Sequence, residues 1–150
     1  MIGWPHLHLL LNHAPVIGSV AAWLLLAGGL VFKSTAVMRA AFVAFAAAAV
    51  LAFAAVQTGE RAEDDVEDLA GVSEERIEEH EEAAEIAAIA LYVVGGLSAI
   101  GLVAFARRRV PAWFAVLILV AGLAPLVLVA RTSEFGGRIR HPEIVEDAIF

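Results

Sequence analysis

Three histidines lie near the start of the chain, at the mouth of its first long apolar segment. They are His6, His8 and His13, and two more, His80 and His141, follow much later. Imidazole titrates near neutral pH and is the commonest metal ligand in proteins. Ionisable groups at membrane depth are rare unless function retains them. The surroundings of these imidazoles are therefore the main indication of function.

Five side chains are candidate ligands of a transition metal, because imidazole binds Fe, Cu and Zn and a carboxylate can complete a mixed site. These five are His8, His13, His80, His141 and Glu60. Glu81 and Glu85 stand one helical turn apart, and their like charges are mildly destabilising unless a cation or an arginine lies between them. The cofactor-binding set therefore includes both of these glutamates.

A b-type haem is the alternative cofactor, since it needs two axial histidines, an apolar slot and basic partners for its propionates. His13 and His80 would supply the axial ligands, and the alanine-rich stretch 83–90 would leave room for the macrocycle. The glutamates around His80 instead suit a hard divalent cation. The sequence leaves a bare metal ion and a haem as alternatives. The propionate partners would be Arg131, Arg138 and Arg140.

The composition is that of a membrane protein. Hydrophobic residues make up 61% of the 150 residues, whereas about 45–50% is usual in soluble domains. Four apolar runs are each long enough to cross a bilayer, which takes about 20 residues. The sequence predicts one domain, 1–150, which is an all-α integral membrane protein built as an up-down-up-down four-helix transmembrane bundle. The predicted spans are about 9–32, 36–58, 83–106 and 111–131.

The charge and the cysteine count exclude several functional classes. The net charge of −7 and the lack of a continuous basic face argue against nucleic acid as a partner. The chain has no cysteine, which excludes disulfides, iron–sulfur clusters held by cysteine and covalently attached haem.

In the first half of the chain, two residues predict helix ends. Asn12 suits an N-cap with Pro15 in the first turn of the helix, and the alternative is one longer helix kinked at Pro15. Gly59 suits the position just after a helix, so an acidic outer loop is predicted at 59–82.

The second half carries similar signals. Ser73 suits the N-cap of the third helix, which would project about three turns beyond the membrane. Pro125 predicts a kink in the fourth helix. An outer polar tail is predicted at 132–150, with His141 extended because proline follows it.

Basic residues predict which side of the bundle faces the cytoplasm. The short turns 33–39 and 107–111 hold five basic residues and no acidic ones. Lysine and arginine in short loops mark the cytoplasmic side. Both termini are therefore predicted on the periplasmic or outer side, and all seventeen carboxylates and all five histidines share that face.

Several short motifs resemble a family of uncharacterised bacterial four-span membrane proteins. The signature of that family, a His followed after four residues by His-x-Pro, matches His8-Leu-Leu-Leu-Asn-His13-Ala-Pro15. Thr58-Gly59-Glu60 and Phe135-Gly136-Gly137-Arg138-Ile139 are similar to its later motifs. Gly71-Val72-Ser73 with Glu79-His80-Glu81 resembles a narrower subgroup. The acidic residue that the family pattern has late in the first span is missing.

The resemblance implies a protein of the bacterial inner membrane. It also implies an association with redox proteins, because some relatives are joined to cytochrome c-type or Rieske domains. The first hypothesis is a His-ligated redox cofactor at the periplasmic face that serves electron transfer, with a cytochrome c-type or other redox protein as partner. The alternative is a non-catalytic accessory subunit of a larger respiratory-type complex, whose histidines are structural or respond to pH. A periplasmic metal-handling protein is a third hypothesis.

Overall fold

The computed structural model describes residues 3–66 and 73–140. Over these two ranges the chain is almost wholly helical and has no strand. The helices form four long apolar rods, each long enough to cross a membrane. The predicted four-helix bundle is thus confirmed, and the chain is a multi-pass membrane protein. The elements are α1 (Trp4–Leu11), α2 (His13–Val31), α3 (Thr35–Val66), α4 (Glu74–Ala104), α5 (Ala112–Ala121) and α6 (Leu123–Arg140).

Two of the four spans are interrupted, each just upstream of a proline. α1 and α2 meet at Asn12, one turn before Pro15, and α5 and α6 meet at Gly122, one turn before Pro125. Proline has no N–H, so a carbonyl one turn earlier loses its helical partner. Asn12 keeps helical angles (φ −59°, ψ −29°) and its side chain does not cap the helix. Of the two predicted alternatives, the structure therefore has the long helix broken near Pro15.

Two helices extend further on the outer side than the sequence predicts. α3 continues through Gly59 to Val66, so the prediction that Gly59 ends the helix is wrong. Packing compensates the poor helix propensity of glycine, because Ala62 is buried and the Arg61 guanidinium lies 4.7 Å from the centre of the Trp4 ring. The residues after the fourth predicted span are also helical, as far as Arg140. His141 lies outside the described residues.

The third helix begins where the sequence predicts. Ser73 occupies the N-cap position with extended backbone, and Glu74 and Glu75 stand in the first turn of α4. Carboxylates there interact favourably with the positive end of the helix dipole. α4 then runs unbroken to Ala104, so its acidic first turns continue directly into a transmembrane span.

We call the half of the bundle next to the turns 33–39 and 107–111 the inner half, and the opposite half, with His8 and His80, the outer half. The inner half is tightly packed. Phe42 and Phe45 of α3 are fully buried, and the rings of Phe42 and Phe114 meet edge to face with centroids 5.8 Å apart. Glycine allows close helix contact, because a Cβ on Gly95 would lie only 2.6 Å from the Cβ of Ala49.

Arg39 closes the inner end of the bundle. Its Nη2 donates to the carbonyl oxygens of Phe105 (2.6 Å), Ala106 (2.9 Å) and Arg108 (2.8 Å). The last carbonyls of a helix have no partner within the helix, and a cation there also complements the helix dipole. Arg39 on α3 thereby caps the end of α4 and the turn that follows it.

Replacing Arg39 with alanine should lower the free energy of unfolding by about 2 kcal/mol, because three carbonyls lose a charged donor. Denaturant or thermal unfolding in detergent micelles would measure the change. Arg107→Ala removes the same charge from an exposed position and is the matched control. Equal stability of the two variants would contradict the role given to Arg39.

Candidate functional site

The outer half of the bundle encloses a cavity of about 970 Å³. Binding sites for small molecules and cofactors usually measure about 300–1,000 Å³. Its floor is apolar and made of small or aliphatic side chains, which include Val16, Ala52, Ala88, Leu91 and Val129. Its outer part is polar, and the ionisable residues that line it are His8, His13, Glu60, Glu63, Glu78, His80, Glu81, Glu82 and Glu85.

His8 reaches from α1 to the backbone of α3. Its Nδ1 donates to the carbonyl oxygen of Ala55 at 3.0 Å, and the Thr58 hydroxyl lies 3.5 Å from the same nitrogen. The ring packs directly on Gly59, where an added Cβ would stand 3.1 Å from the His8 Cε1 atom. The imidazole is therefore fixed both by a hydrogen bond and by the bare backbone beside it.

His80 makes an equivalent set of contacts between α4 and α6. Its Nδ1 donates to the carbonyl oxygen of Thr132 at 3.0 Å. The Thr132 hydroxyl donates in return to the carbonyl oxygen of Ala83 at 2.9 Å. An added Cβ on Gly136 would stand 3.0 Å from the His80 Cε1 atom. Here too a glycine provides the space in which the ring lies.

The two helical hairpins thus repeat one arrangement. In each, an imidazole donates to a carbonyl that stands one turn before a glycine, and the ring packs on that glycine: Ala55 precedes Gly59, and Thr132 precedes Gly136. A carbonyl can only accept, so the proton of each neutral ring is on Nδ1 and the lone pair is on Nε2. This is the form in which imidazole binds a metal, with its other nitrogen held by a second group.

The two imidazoles lie on opposite sides of the cavity. The first span and α4 both pack against α3 and α6, so they stand diagonally across the bundle. His8 and His80 line the same cavity and are close enough to interact electrostatically. Their Nε2 atoms are the ring nitrogens that the bonds to Ala55 and Thr132 leave unused.

His80 shares the cavity and an electrostatic interaction with His8, whereas the haem hypothesis pairs it with His13. His13 is exposed on the rim of the cavity, and its Nδ1 donates to the side chain of Asn12. His6 is exposed and does not line the cavity. His8 and His13 both line the cavity, but Asn12 between them keeps helical angles, so an offset of five residues leaves them on different faces of the first span.

The candidate carboxylates lie between α3 and α4. Glu60 is exposed and accepts a hydrogen bond from the Gln57 amide at 3.0 Å. The Glu81 carboxyl is hydrogen-bonded to that of Glu63 on α3. Glu85 is exposed beside the cavity. Within the described ranges, no three His, Cys, Asp or Glu side chains are grouped so that they would hold a metal ion.

Of the three arginines that would pair with haem propionates, the structure describes the side chain of one. Arg131 is exposed and lies over the Phe135 ring at 5.3 Å, and it does not line the cavity. The side chains of Arg138 and Arg140, and the whole of His141, lie outside the described part of the chain.

Sequence reasoning missed the two glycines that receive the imidazoles. A glycine inside a helix costs about 1 kcal/mol relative to alanine. Gly59 and Gly136 both lie inside helices. This unfavourable placement of glycine is the local signal that a neighbouring group packs closely against the helix there. Comparisons with protein-family models, curated proteins and solved structures found no match. Family membership therefore stays a prediction.

Adjacent glycines in α6 test the packing of the His80 ring. Glycine to alanine within a helix stabilises by about 1 kcal/mol. We expect that gain for Gly137→Ala, since a Cβ there meets nothing within 4 Å. Gly136→Ala should instead destabilise, because the new Cβ pushes the ring away from Thr132. Unfolding in micelles would compare the two, and equal gains would contradict the packing.

Proposed function

We propose that this protein is an electron-transfer protein that binds one b-type haem between His8 and His80, at the periplasmic face of the bacterial inner membrane. One observation carries the proposal. Two imidazoles on diagonal helices each commit Nδ1 to a backbone carbonyl and leave Nε2 for a ligand within one cavity.

The dimensions of the site favour haem over a bare ion. A b-type haem that serves only electron transfer would take two axial ligands from the protein, which is the number that His8 and His80 would supply. A bare transition-metal ion needs its ligands about 2 Å away, whereas this cavity measures about 970 Å³. Ala84, Ala87 and Ala88 line it from the alanine-rich stretch of α4, and their small side chains leave the space that a macrocycle requires.

The glutamates around His80 in the sequence line the outer part of the same cavity. The His80 ring is nevertheless held by backbone: its Nδ1 donates a hydrogen bond to the Thr132 carbonyl oxygen on α6, while the Glu81 carboxyl is hydrogen-bonded to that of Glu63 on α3. Glu82 and Glu85 are exposed. The nitrogen that orients the ring is therefore bound to a carbonyl and not to a carboxylate.

The residues of the site suit an electron-transfer centre. With both axial positions taken by histidine, a haem supplies one-electron transfer and offers no open position to a substrate. The bonds to Ala55 and Thr132 hold each ring in orientation and make its Nε2 a better donor. The apolar floor beneath, which includes Leu91, keeps water from the inner side of the site.

The location follows from charge. The turns with Lys33 and Arg107–Arg109 are basic and lie at the end of the bundle opposite the cavity, and basic short loops remain in the cytoplasm. The cavity then faces the periplasm. A cytochrome c-type or other redox protein on that side is the partner that this orientation suits.

The test is an absorption spectrum of the purified protein after incubation with haemin in detergent. We expect a Soret band, one haem per chain, and the sharp reduced spectrum of a six-coordinate iron. His8→Ala and His80→Ala should each lose the six-coordinate spectrum, since one axial ligand is gone. His6→Ala is the matched control and should retain it, because His6 is exposed away from the cavity.

Other outcomes would reject the proposal. If the wild-type protein fails to take up haem, the two imidazoles serve only to hold neighbouring helices together, as in the alternative of an accessory subunit. A stoichiometric metal without a Soret band would indicate a bare ion instead. Spectra of the His8 and His80 variants identical to the wild type would exclude these residues as ligands.

A further inference from the structure

Three successive arginines stand in the short turn between α4 and α5. Arg107, Arg108 and Arg109 are all exposed, and we call these three residues the arginine turn. No aspartate or glutamate stands between residues 86 and 133. The carboxylate of α4 that stands nearest along the helix, Glu85, is separated from Ala104 by about 28 Å of helix. Three like charges therefore lie side by side without a counter-charge from the described part of the chain.

Arg39 holds the backbone of the arginine turn in place and adds a fourth positive charge beside it. Its Nη2 donates to the carbonyl oxygens of Phe105, Ala106 and Arg108. Its Nε is buried and has no hydrogen-bond partner among the described residues. A buried charge without a counter-charge is costly, so an anion bound close to the turn would stabilise the folded protein.

Apolar side chains on both sides of the arginine turn place it at the edge of the bilayer. Val103, near the end of α4, is 80% exposed, and Trp113, at the start of α5, is 66% exposed. The Trp113 ring packs edge to face on Phe114, with centroids 5.5 Å apart. Tryptophan is enriched at the level of the lipid headgroups. The anion that is always present at this depth is the phosphate of a phospholipid.

We propose that the arginine turn binds the phosphate of an anionic phospholipid, whose acyl chains lie against the exposed apolar side chains beside the turn. A guanidinium group offers two parallel N–H donors that match the oxygens of a phosphate. A zwitterionic lipid brings a positive charge of its own, which the three arginines repel, so the turn selects a lipid with net negative charge. This inference goes beyond the haem proposal and does not depend on it.

The test is native mass spectrometry of the haem-free protein in detergent, mixed with equal amounts of phosphatidylglycerol and phosphatidylcholine. We expect the wild-type protein to retain phosphatidylglycerol about tenfold more than phosphatidylcholine. The triple variant R107Q/R108Q/R109Q should retain the two lipids equally. Arg108→Gln is a second variant, in case the triple variant does not fold, and should lower the preference about threefold. Lys33→Gln is its matched control, because it removes one exposed cation from the other inner turn.

Three outcomes would overturn this inference. Equal retention of the two lipids by the wild-type protein would reject a site for anionic lipid. The same loss in Lys33→Gln as in Arg108→Gln would indicate a general attraction of the basic end and reject a site at the arginine turn. Phosphatidylglycerol should also raise the midpoint of thermal unfolding in micelles, and an equal rise with inorganic phosphate would indicate a site for free anions instead. All these measurements use protein without haem, so their failure leaves the haem proposal as it stands.

Discussion

The hydrogen bond from each imidazole to a carbonyl of the next helix determines the geometry of the outer half. In apolar surroundings an unpaired imidazole N–H is costly, so the ring takes the orientation in which a carbonyl accepts it. His8 and His80 solve this problem in the same way, each with a glycine beside it that lets the ring approach the backbone. Two hairpins without detectable sequence repetition thereby hold an imidazole each, in the same way, beside one cavity.

The inner half of the bundle is filled and the outer half contains a cavity because their buried side chains differ in size. The inner core contains buried phenylalanines such as Phe42 and Phe45, and glycine contacts such as that of Gly95 draw its helices together. The outer core replaces these rings with Ala52, Ala87 and other small residues. Since all four spans continue past this change, a drop in side-chain volume along parallel rods leaves a cavity.

The spans, the breaks near the prolines and the start of α4 could be predicted, because each depends on local chemistry: apolar run length, a missing N–H, a residue suited to the N-cap. The helical continuation past Gly59 could not, because it depends on Trp4 and Arg61 meeting across two helices. The choice of His8 over His13 depends on the path of the chain at Asn12, where helical angles persist without a cap. The sequence predicts that all five histidines share one face; only tertiary packing distinguishes the two that bond to the backbone of a neighbouring helix beside one cavity.

Arg39 and the buried phenylalanines close the end of the bundle opposite the cavity. Anything that enters the cavity must therefore come from the end that carries His8 and His80, or between the helices at its side. The orientation of the two rings does not depend on such a molecule, because the Nδ1 of His8 and the Nδ1 of His80 each have an acceptor in the polypeptide itself.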